Sequence, residues 1–500
     1  MRLKDILEGV ACKKVYGNTD IHIKDISINS KKIIKGGLFA AVKGFRSDGH
    51  DFVGEAVRNG AIAVITNKKM NTDPGIVQII VEETREILPI ISKNFFGDPS
   101  KSLKIIGITG TNGKTTTCYI IDSILKSAGL KTSMITTYRS YIDRKEVKLD
   151  RTTPESIDLQ KFFAESVRSG VQFVSMEVSS HSVDLHRVDH IDFDYLIFTN
   201  LTQDHLDYHG TLENYFEVKS RLFNTGNRKL FGSGRAIINI DDSFGRRLFD
   251  MTGMERTSYS IDDHGADIRA LEIISSISGL KMMVKRDKNR NIRIKTSLCG
   301  IFNIYNILAA STACFEAGID ARSIIAGIEK MKGFGGRFEK IENSSGPTVI
   351  VDYAHTPDGL ENVLSTARDV LAGSGKLISV FGCGGDRDRN KRKIMGGISA
   401  RLADYTIITS DNPRSEEPDS IISMIEEGFM GKGTDKYCRI IDRKEAILMA
   451  IDIARPCDLV LIAGKGHEDY QEFGNGRRVA FCDFDIVREY NENKRKGKKY

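Results

Sequence analysis

Short apolar runs recur along the whole chain, and most of them end in a polar loop. Residues 37–42 and 61–66 read as strands, set between glycine and charged turns. Residues 103–108 read as a short buried strand, and behind it Ile120, Ile121, Ile124 and Leu125 recur at helical spacing. From there to about Met331 strand and helix patterns alternate, which predicts a mostly parallel sheet. Four further apolar strands follow, at 348–352, 377–382, 405–410 and 459–463, and each runs into a polar loop. In open α/β sheets ligands bind where strands end in such loops. Phe95-Phe96-Gly97-Asp98-Pro99-Ser100 breaks the pattern once, and Gly333, Gly335 and Gly336 break it again. The expectation is an α/β protein of three domains, at 1–99, 100–334 and 335–500.

Composition adds little to this picture and takes nothing from it. A chain of 500 residues suits about three domains, and 40% hydrophobic with 28% charged residues is ordinary for a globular protein. The net charge is +6. Part of the excess sits in Lys494, Arg495, Lys496, Lys498 and Lys499, expected to be a solvated, frayed terminus. A mild, dispersed positive charge suits anionic substrates such as nucleotides and gives nucleic-acid binding little support. Eight cysteines occur with no Cys-x-x-Cys pair, as expected for free thiols in a reducing cytosol. Met1-Arg2-Leu3-Lys4-Asp5 lacks the apolar core of a signal peptide, and no apolar run is long enough to span a bilayer. A cytoplasmic protein with no membrane insertion is expected.

Residues 107–117, Gly-Ile-Thr-Gly-Thr-Asn-Gly-Lys-Thr-Thr-Thr, carry the sharpest chemical signal. A glycine-rich turn between strand and helix points backbone N–H groups and a helix N-terminus at an anion. Gly110, Thr111, Asn112, Gly113 and Thr116 would form that cradle. Lys114 can reach the terminal phosphates of ATP, and the Thr115 hydroxyl can sit on Mg²⁺. The strict phosphate-loop spacing puts a glycine where Ile108 stands, so this is a variant loop. Strand, Gly-Lys-Thr and apolar helix together weigh against a plain Gly/Thr turn.

Other strand ends are less specific. Glu177 closes the apolar run 173–177, where phosphate-loop enzymes hold Mg²⁺, although a strand-end acid can also be surface decoration. Residues 199–210 hold Asp204, His205, Asp207 and His209, which fits either a metal or phosphate site or ordinary packing. Lys219 lies on a predicted helix and by composition alone is an ordinary surface lysine. In 351–358, Asp352 can accept a ribose hydroxyl and Tyr353 can pack on a base; a turn with a buried Tyr is the plainer reading. Residues 381–389 form a second Gly-rich loop. Pro413 stiffens the loop 411–414, so Arg414 could be held as a fork for a carboxylate, against the commoner Asn-Pro turn with an exposed Arg.

Taken together these segments resemble the Mur ligases, which add amino acids to a UDP-linked cell-wall precursor. The resemblance rests on residues 109–116, 200–210, 302–306 (Phe-Asn-Ile-Tyr-Asn), 336–339 (Gly-Arg-Phe-Glu), 351–358, 382–388 and 463–468 (Ala-Gly-Lys-Gly-His-Glu), in family order across nearly the whole chain. The pattern is that of the members adding the third residue, and Asp411-Asn412-Pro413-Arg414 matches those that take meso-2,6-diaminopimelate. The resemblance implies an N-terminal UDP-binding domain, a central ATPase domain and a Rossmann-like C-terminal domain. It implies that Ser30, Thr152, Thr153, Ser179 and Arg187 contact UDP-N-acetylmuramoyl-dipeptide. Asn303, Asn306, Arg337 and Asp352 would serve ATP. Lys219 would be carbamylated and hold a second Mg²⁺, with Glu177 and His205 as further ligands, and Arg387, Asp411, Asn412, Pro413, Arg414, Gly464 and Glu468 would form the diaminopimelate site. Lys114, Lys219, Arg337 and His205 would be the catalytic set. A monomer is expected. Asn29-Ser30-Lys31 departs from the family's Asp-Ser-Arg, and Leu185 replaces a polar residue of some relatives. Lysine as the incoming amino acid, folylpolyglutamate synthesis, and a nucleotide-dependent switch without ligase activity are the alternatives.

Overall fold

The computed structural model describes every residue except 45–46, 277, 287–290, 334, 342–345, 372, 374, 432 and 496–500. Most of the basic tail therefore lies outside the described residues, as does Phe334 at the expected second boundary. Among the described residues the strands form sheets of five, eleven, six and two.

The five-stranded sheet runs in the order Cys12–Tyr16, Val77–Val81, Ala61–Thr66, Gly37–Ala40, Asp25–Ser27. Its first pair is antiparallel and the rest are parallel. Val77–Val81 is buried along its whole length, as a β-branched run covered on both faces should be. The strand expected at 37–42 stops at Ala40. Helix Thr84–Phe96 ends at Gly97, whose φ of 77° is the left-handed cap that glycine supplies without strain. Asp98 and Pro99 then turn the chain into the central sheet.

The middle of the eleven-stranded sheet is parallel, in the order Thr132–Ile135, Phe173–Glu177, Lys104–Thr109, Tyr195–Phe198, Arg235–Asn239, Arg256–Ser260, Ile268–Ser276. Antiparallel strands extend it on both sides: Ser140–Ile142 with Lys145–Val147, and Gly279–Lys285 with Asn291–Thr296. The strand–helix alternation predicted the parallel middle and not these flanks. Helix Lys114–Ser127 packs on Ile301–Glu316 and Ala321–Glu329. Its buried Ile120, Ile121, Ile124 and Leu125 are the stripe read from the sequence.

The six-stranded sheet runs Glu339–Ile341, Thr348–Asp352, Leu459–Ala463, Leu377–Phe381, Tyr405–Ile408, Tyr437–Arg439, parallel except for its first pair. Its inner strands are the four expected ones, with two ends a residue or two shorter. The three-residue edge strands were too short to leave a periodic signal. Asp352, Phe381, Ile408 and Ala463 close their strands on one rim, and the loops beyond them carry the chemistry described next. No helix among the described residues is long and apolar enough to cross a membrane.

Candidate active site

The phosphate loop needs glycine at two places. Gly110 has φ 143° and Gly113 φ 88°. A Cβ on Gly110 would lie 2.0 Å from Thr199 Oγ1, and one on Gly113 would lie 2.3 Å from Asn306 Oδ1. Ile108 stands where the strict motif has glycine because it still belongs to the strand and is fully buried there. Lys114 Nζ donates to the carbonyls of Gly110 (3.0 Å) and Thr111 (2.8 Å), folded over the loop it would serve. Burial pushes its pKa down. Asn200, quoted only as part of a motif above, holds the loop: its Oδ1 accepts from Asn112 N at 2.9 Å.

The Thr115 hydroxyl donates to Glu177 Oε1 at 2.7 Å and accepts from Arg337 Nη2 at 3.2 Å. Thr137 also donates to Glu177, from N at 2.9 Å and from Oγ1 at 3.0 Å. A hydroxyl and a buried carboxylate beside a phosphate cradle are the hard oxygen donors Mg²⁺ takes when it keeps waters and phosphates as its other ligands. The residues fit the ion.

A cavity of about 450 Å³ opens over the loop, lined among others by Gly110 to Thr116, Asn306, Arg337 and Asp352. Asn303 is not in its wall. It stands behind, its Oδ1 accepting from Asn306 Nδ2 at 3.0 Å and its own amide donating to the Cys299 carbonyl at 2.7 Å. Asp352 accepts from the amides of Phe338 and Ala354, both at 2.6 Å, and burial raises its pKa to about 6 against the opposing Arg337 charge. Arg337 lies 4.7 Å over the Tyr353 ring. Tyr305 and Asp358, assigned no role from sequence, also line the cavity; Asp358 Oδ2 accepts from Asn112 Nδ2 at 2.7 Å.

Lys219 is no surface lysine. It is 1% exposed, and its Nζ donates to Thr109 Oγ1 (3.2 Å) and the Gly110 carbonyl (3.1 Å). Burial and then the nearby Lys114 push its pKa well below the usual lysine value. The acids and imidazoles of 199–210 divide between tasks. His209 is buried, 2.9 Å from Ser180 Oγ and stacked on Tyr215, while Asp207 is exposed. His205 has φ 53°, and its Nε2 is 3.3 Å from Asp204 Oδ2. Glu177, His205 and Lys219 border the same cavity, but no cluster of three His, Cys, Asp or Glu forms a ready cage among the described residues.

Four of the five residues expected on the UDP-linked substrate come together. Thr153 Oγ1 donates to the Glu177 carbonyl at 2.9 Å and accepts from Ser179 N at 3.1 Å. The Thr152 hydroxyl lies 3.0 Å from Thr137 Oγ1, and Arg187 Nη1 donates to the Thr153 carbonyl at 3.3 Å while pairing with Glu155. Ser30 sits instead in the turn beyond strand Asp25–Ser27 of the N-terminal sheet. It bonds to Glu55 and lines neither the cavity over the phosphate loop nor the one described next.

The second cavity, about 1000 Å³, sits on the rim of the six-stranded sheet and is lined among others by Arg387, Asp411, Asn412, Arg414, Gly464 and Glu468. Pro413 is not in its wall. Asn412 Nδ2 donates to Glu468 Oε2 at 2.8 Å. The fully buried Lys465 donates to both Asn412 Oδ1 (3.1 Å) and Glu468 Oε2 (2.9 Å), so a lysine with no expected role fixes the pair. Arg414, with φ 51°, is held by its own chain: Nη1 donates to the Gly385 carbonyl at 2.7 Å and Nε lies 3.3 Å from Glu472. Thr137, Thr152, Asp204, His205, Tyr353 and His355 line both cavities, which therefore meet.

Residues 22–98 match the Mur ligase family catalytic domain, 108–314 the Mur ligase middle domain, and 336–466 the Mur ligase glutamate ligase domain. This chain is a Mur ligase. It is 41% identical to UDP-N-acetylmuramoyl-L-alanyl-D-glutamate–2,6-diaminopimelate ligase 1 of Clostridium acetobutylicum, over 98% of this chain and 99% of that one. It is 42% identical to the ligase of the same name from Caldanaerobacter subterraneus subsp. tengcongensis, over 98% of both. A solved structure of a UDP-N-acetylmuramoyl-L-alanyl-D-glutamate–2,6-diaminopimelate ligase superposes with a TM-score of 0.69 at 31% identity, covering 99% of each chain.

In this Mur ligase the residues sequence reasoning missed are mostly supports. Asn200 and Lys465 each fix a side chain or loop that was recognised. Their signal was present, since both sit inside quoted motifs, but polarity alone does not separate a buried brace from a ligand.

Proposed function

We propose that this Mur ligase uses ATP to join meso-2,6-diaminopimelate to the D-glutamate of UDP-N-acetylmuramoyl-L-alanyl-D-glutamate. The observation carrying this reading is the junction of the two cavities, one floored by the phosphate loop and the other walled by Asp411, Glu468 and a held arginine. The names of the relatives at 41% and 42% identity supply the substrates. The proposed domain roles are UDP-substrate binding at 1–99, ATP binding at 100–334 and amino-acid binding at 335–500.

A carboxylate cannot be made into an amide until its oxygen becomes a good leaving group. The D-glutamyl carboxylate attacks the γ-phosphorus of ATP, giving an acyl phosphate and ADP, and the amine then displaces phosphate. Two anions must meet in the first step, so Lys114 and Arg337 would supply the cations that stabilise the developing charge. Thr115 and Glu177 would hold one Mg²⁺, and His205 with a carbamylated Lys219 a second; when bound, the ions neutralise phosphate charge. Thr152, Thr153, Ser179 and Arg187 would orient the acceptor, with Ser30 reaching its uridine end. Asn306, backed by Asn303, and Asp352 would hold the nucleotide. Arg414 would take the distal carboxylate of diaminopimelate, with Asp411 and Glu468 on its distal ammonium and Arg387, Asn412 and Gly464 completing the wall. The site draws on separate sheets, so closure shields the acyl phosphate from water.

A cytoplasmic location and a monomeric state belong to this proposal; light scattering after size exclusion checks the second. The test of the reaction is ADP release. It should require the UDP-linked dipeptide and diaminopimelate together. Turnover with ATP alone, equal to that with both, would point to a switch or a simple ATPase.

A further inference from the structure

The amine that enters the ligation step arrives as an ammonium and must lose a proton before nitrogen can attack. None of the residues assigned above accepts it. The transfer has to occur where the cavities meet, and only six residues among those described line both. The hydroxyls of Thr137 and Thr152 are not bases at neutral pH. Tyr353 keeps its proton, held more tightly by burial. Asp204 and His205 are spent on each other: Asp204 Oδ1 accepts from His205 N at 2.9 Å and Oδ2 lies 3.3 Å from His205 Nε2.

His355 differs. Its Nδ1 lies 2.9 Å from the Tyr353 carbonyl, an oxygen that can only accept, so Nδ1 carries the proton and Nε2 keeps its lone pair. The ring packs edge-on against Tyr353 at 4.8 Å, and the His355 carbonyl accepts from Lys391 Nζ at 2.9 Å, which fixes tautomer and backbone. The charged groups facing it are Lys391, Asp204 and Asp411, with His467 beyond Tyr353. Burial and then Lys391 lower its pKa, so the ring is neutral at physiological pH.

We propose that His355 is the general base of the amide-forming step, taking a proton through Nε2 from the incoming amine; this rests on the ligase reading above. The ammonium has two protons to lose. One passes to Nε2 and then to solvent through the amino-acid cavity. The freed lone pair forms the C–N bond, the C–O bond to phosphate breaks with its electrons going to oxygen, and the second N–H proton leaves with the phosphate as HPO₄²⁻.

The experiment compares two nucleophiles on the same acyl phosphate. Hydroxylamine is already unprotonated near neutral pH and needs no base, whereas diaminopimelate does. In His355→Gln, amide formation should fall on the order of 10²–10⁴-fold. KM for diaminopimelate should stay near wild type, and hydroxamate formation should persist. The amide rate of the variant should climb with pH as free amine accumulates. In the wild type, amide formation at saturating substrates should rise with pH and level off once His355 is neutral, well before the amine itself ionises, and the hydroxylamine reaction should lack this limb, which tests the proposal even if the variant folds poorly. Loss of both products together in a folded variant, a raised KM with unchanged kcat, or no wild-type difference between the nucleophiles would overturn it. A wild type making neither product would overturn the ligase reading and this proposal with it.

Discussion

Arg337 donates to the Thr115 hydroxyl at 3.2 Å, so a residue more than two hundred positions later touches the first turn of the helix that follows the phosphate loop. Gly336 makes this approach possible. Its φ is 65°, and a Cβ there would lie 2.3 Å from the Gly466 Cα. The backbone before Arg337 thus packs directly on the loop before Glu468, which ties the wall of one cavity to the wall of the other.

Lys114→Ala should abolish ATP turnover while leaving the fold intact. Arg337→Ala should lower kcat by about 10²–10³-fold, the usual cost of removing one transition-state donor. Coupled ADP release, read beside the thermal midpoint, checks both. Wild-type-like turnover in folded Lys114→Ala would defeat the phosphate-loop assignment.

Lys219 should be carbamylated in the active enzyme. Only a neutral amine captures CO₂, and burial beside Lys114 supplies one. Lys219→Ala should be nearly inactive and partly restored by formate or acetate, which bring back an oxygen ligand. ¹³CO₂ labelling followed by NMR tests this directly, and an unmodified amine in the fully active, metal-loaded enzyme would refute it.

Stability should fall in acid partly through Glu416. Fully buried Arg392 forks onto it with bonds of 2.9 and 2.8 Å, and the Asp386 amide adds one at 2.7 Å. Chiefly through Arg392, its pKa drops to about 2, against about 4.3 in an unfolded chain. A depressed carboxyl pKa stabilises the fold fully above the unfolded value, and that contribution is lost as pH falls towards 2. Urea midpoints measured between those pH values should decline more steeply for wild type than for Glu416→Gln. Equal slopes would mean that the pair does not brace the loop carrying Arg387.

Much of this was legible in the sequence because strand ends and glycine turns carry chemistry in α/β folds. Residues 107–117 and the four strands after 348 follow from local pattern. Residues 140–147 and 279–296 did not, since antiparallel extensions depend on what the edge of the parallel sheet accepts and not on local alternation. Lys219 shows the other limit. Its burial comes from Thr109 and Gly110, more than a hundred residues earlier, and helical spacing holds no trace of that contact.

Arg414 should decide between diaminopimelate and lysine. Both carry the same α-amino acid head, so discrimination falls at the far end, where only diaminopimelate has a carboxylate for a guanidinium fork. Arg414 now leans on Gly385 and Glu472, and binding should exchange those partners for substrate. Arg414→Ala should cost on the order of 2–5 kcal/mol in kcat/KM for diaminopimelate, with little change for lysine. An unchanged ratio would remove Arg414 from the specificity site and leave the ligase standing.

The most direct test of the whole account is incorporation of radiolabelled amino acid into UDP-N-acetylmuramoyl-L-alanyl-D-glutamate with ATP and Mg²⁺, diaminopimelate set against lysine. The account predicts a diaminopimelate-containing UDP product, one ADP per amide formed, and little product from lysine. Preferential incorporation of lysine, or ADP release without a labelled product, would contradict it.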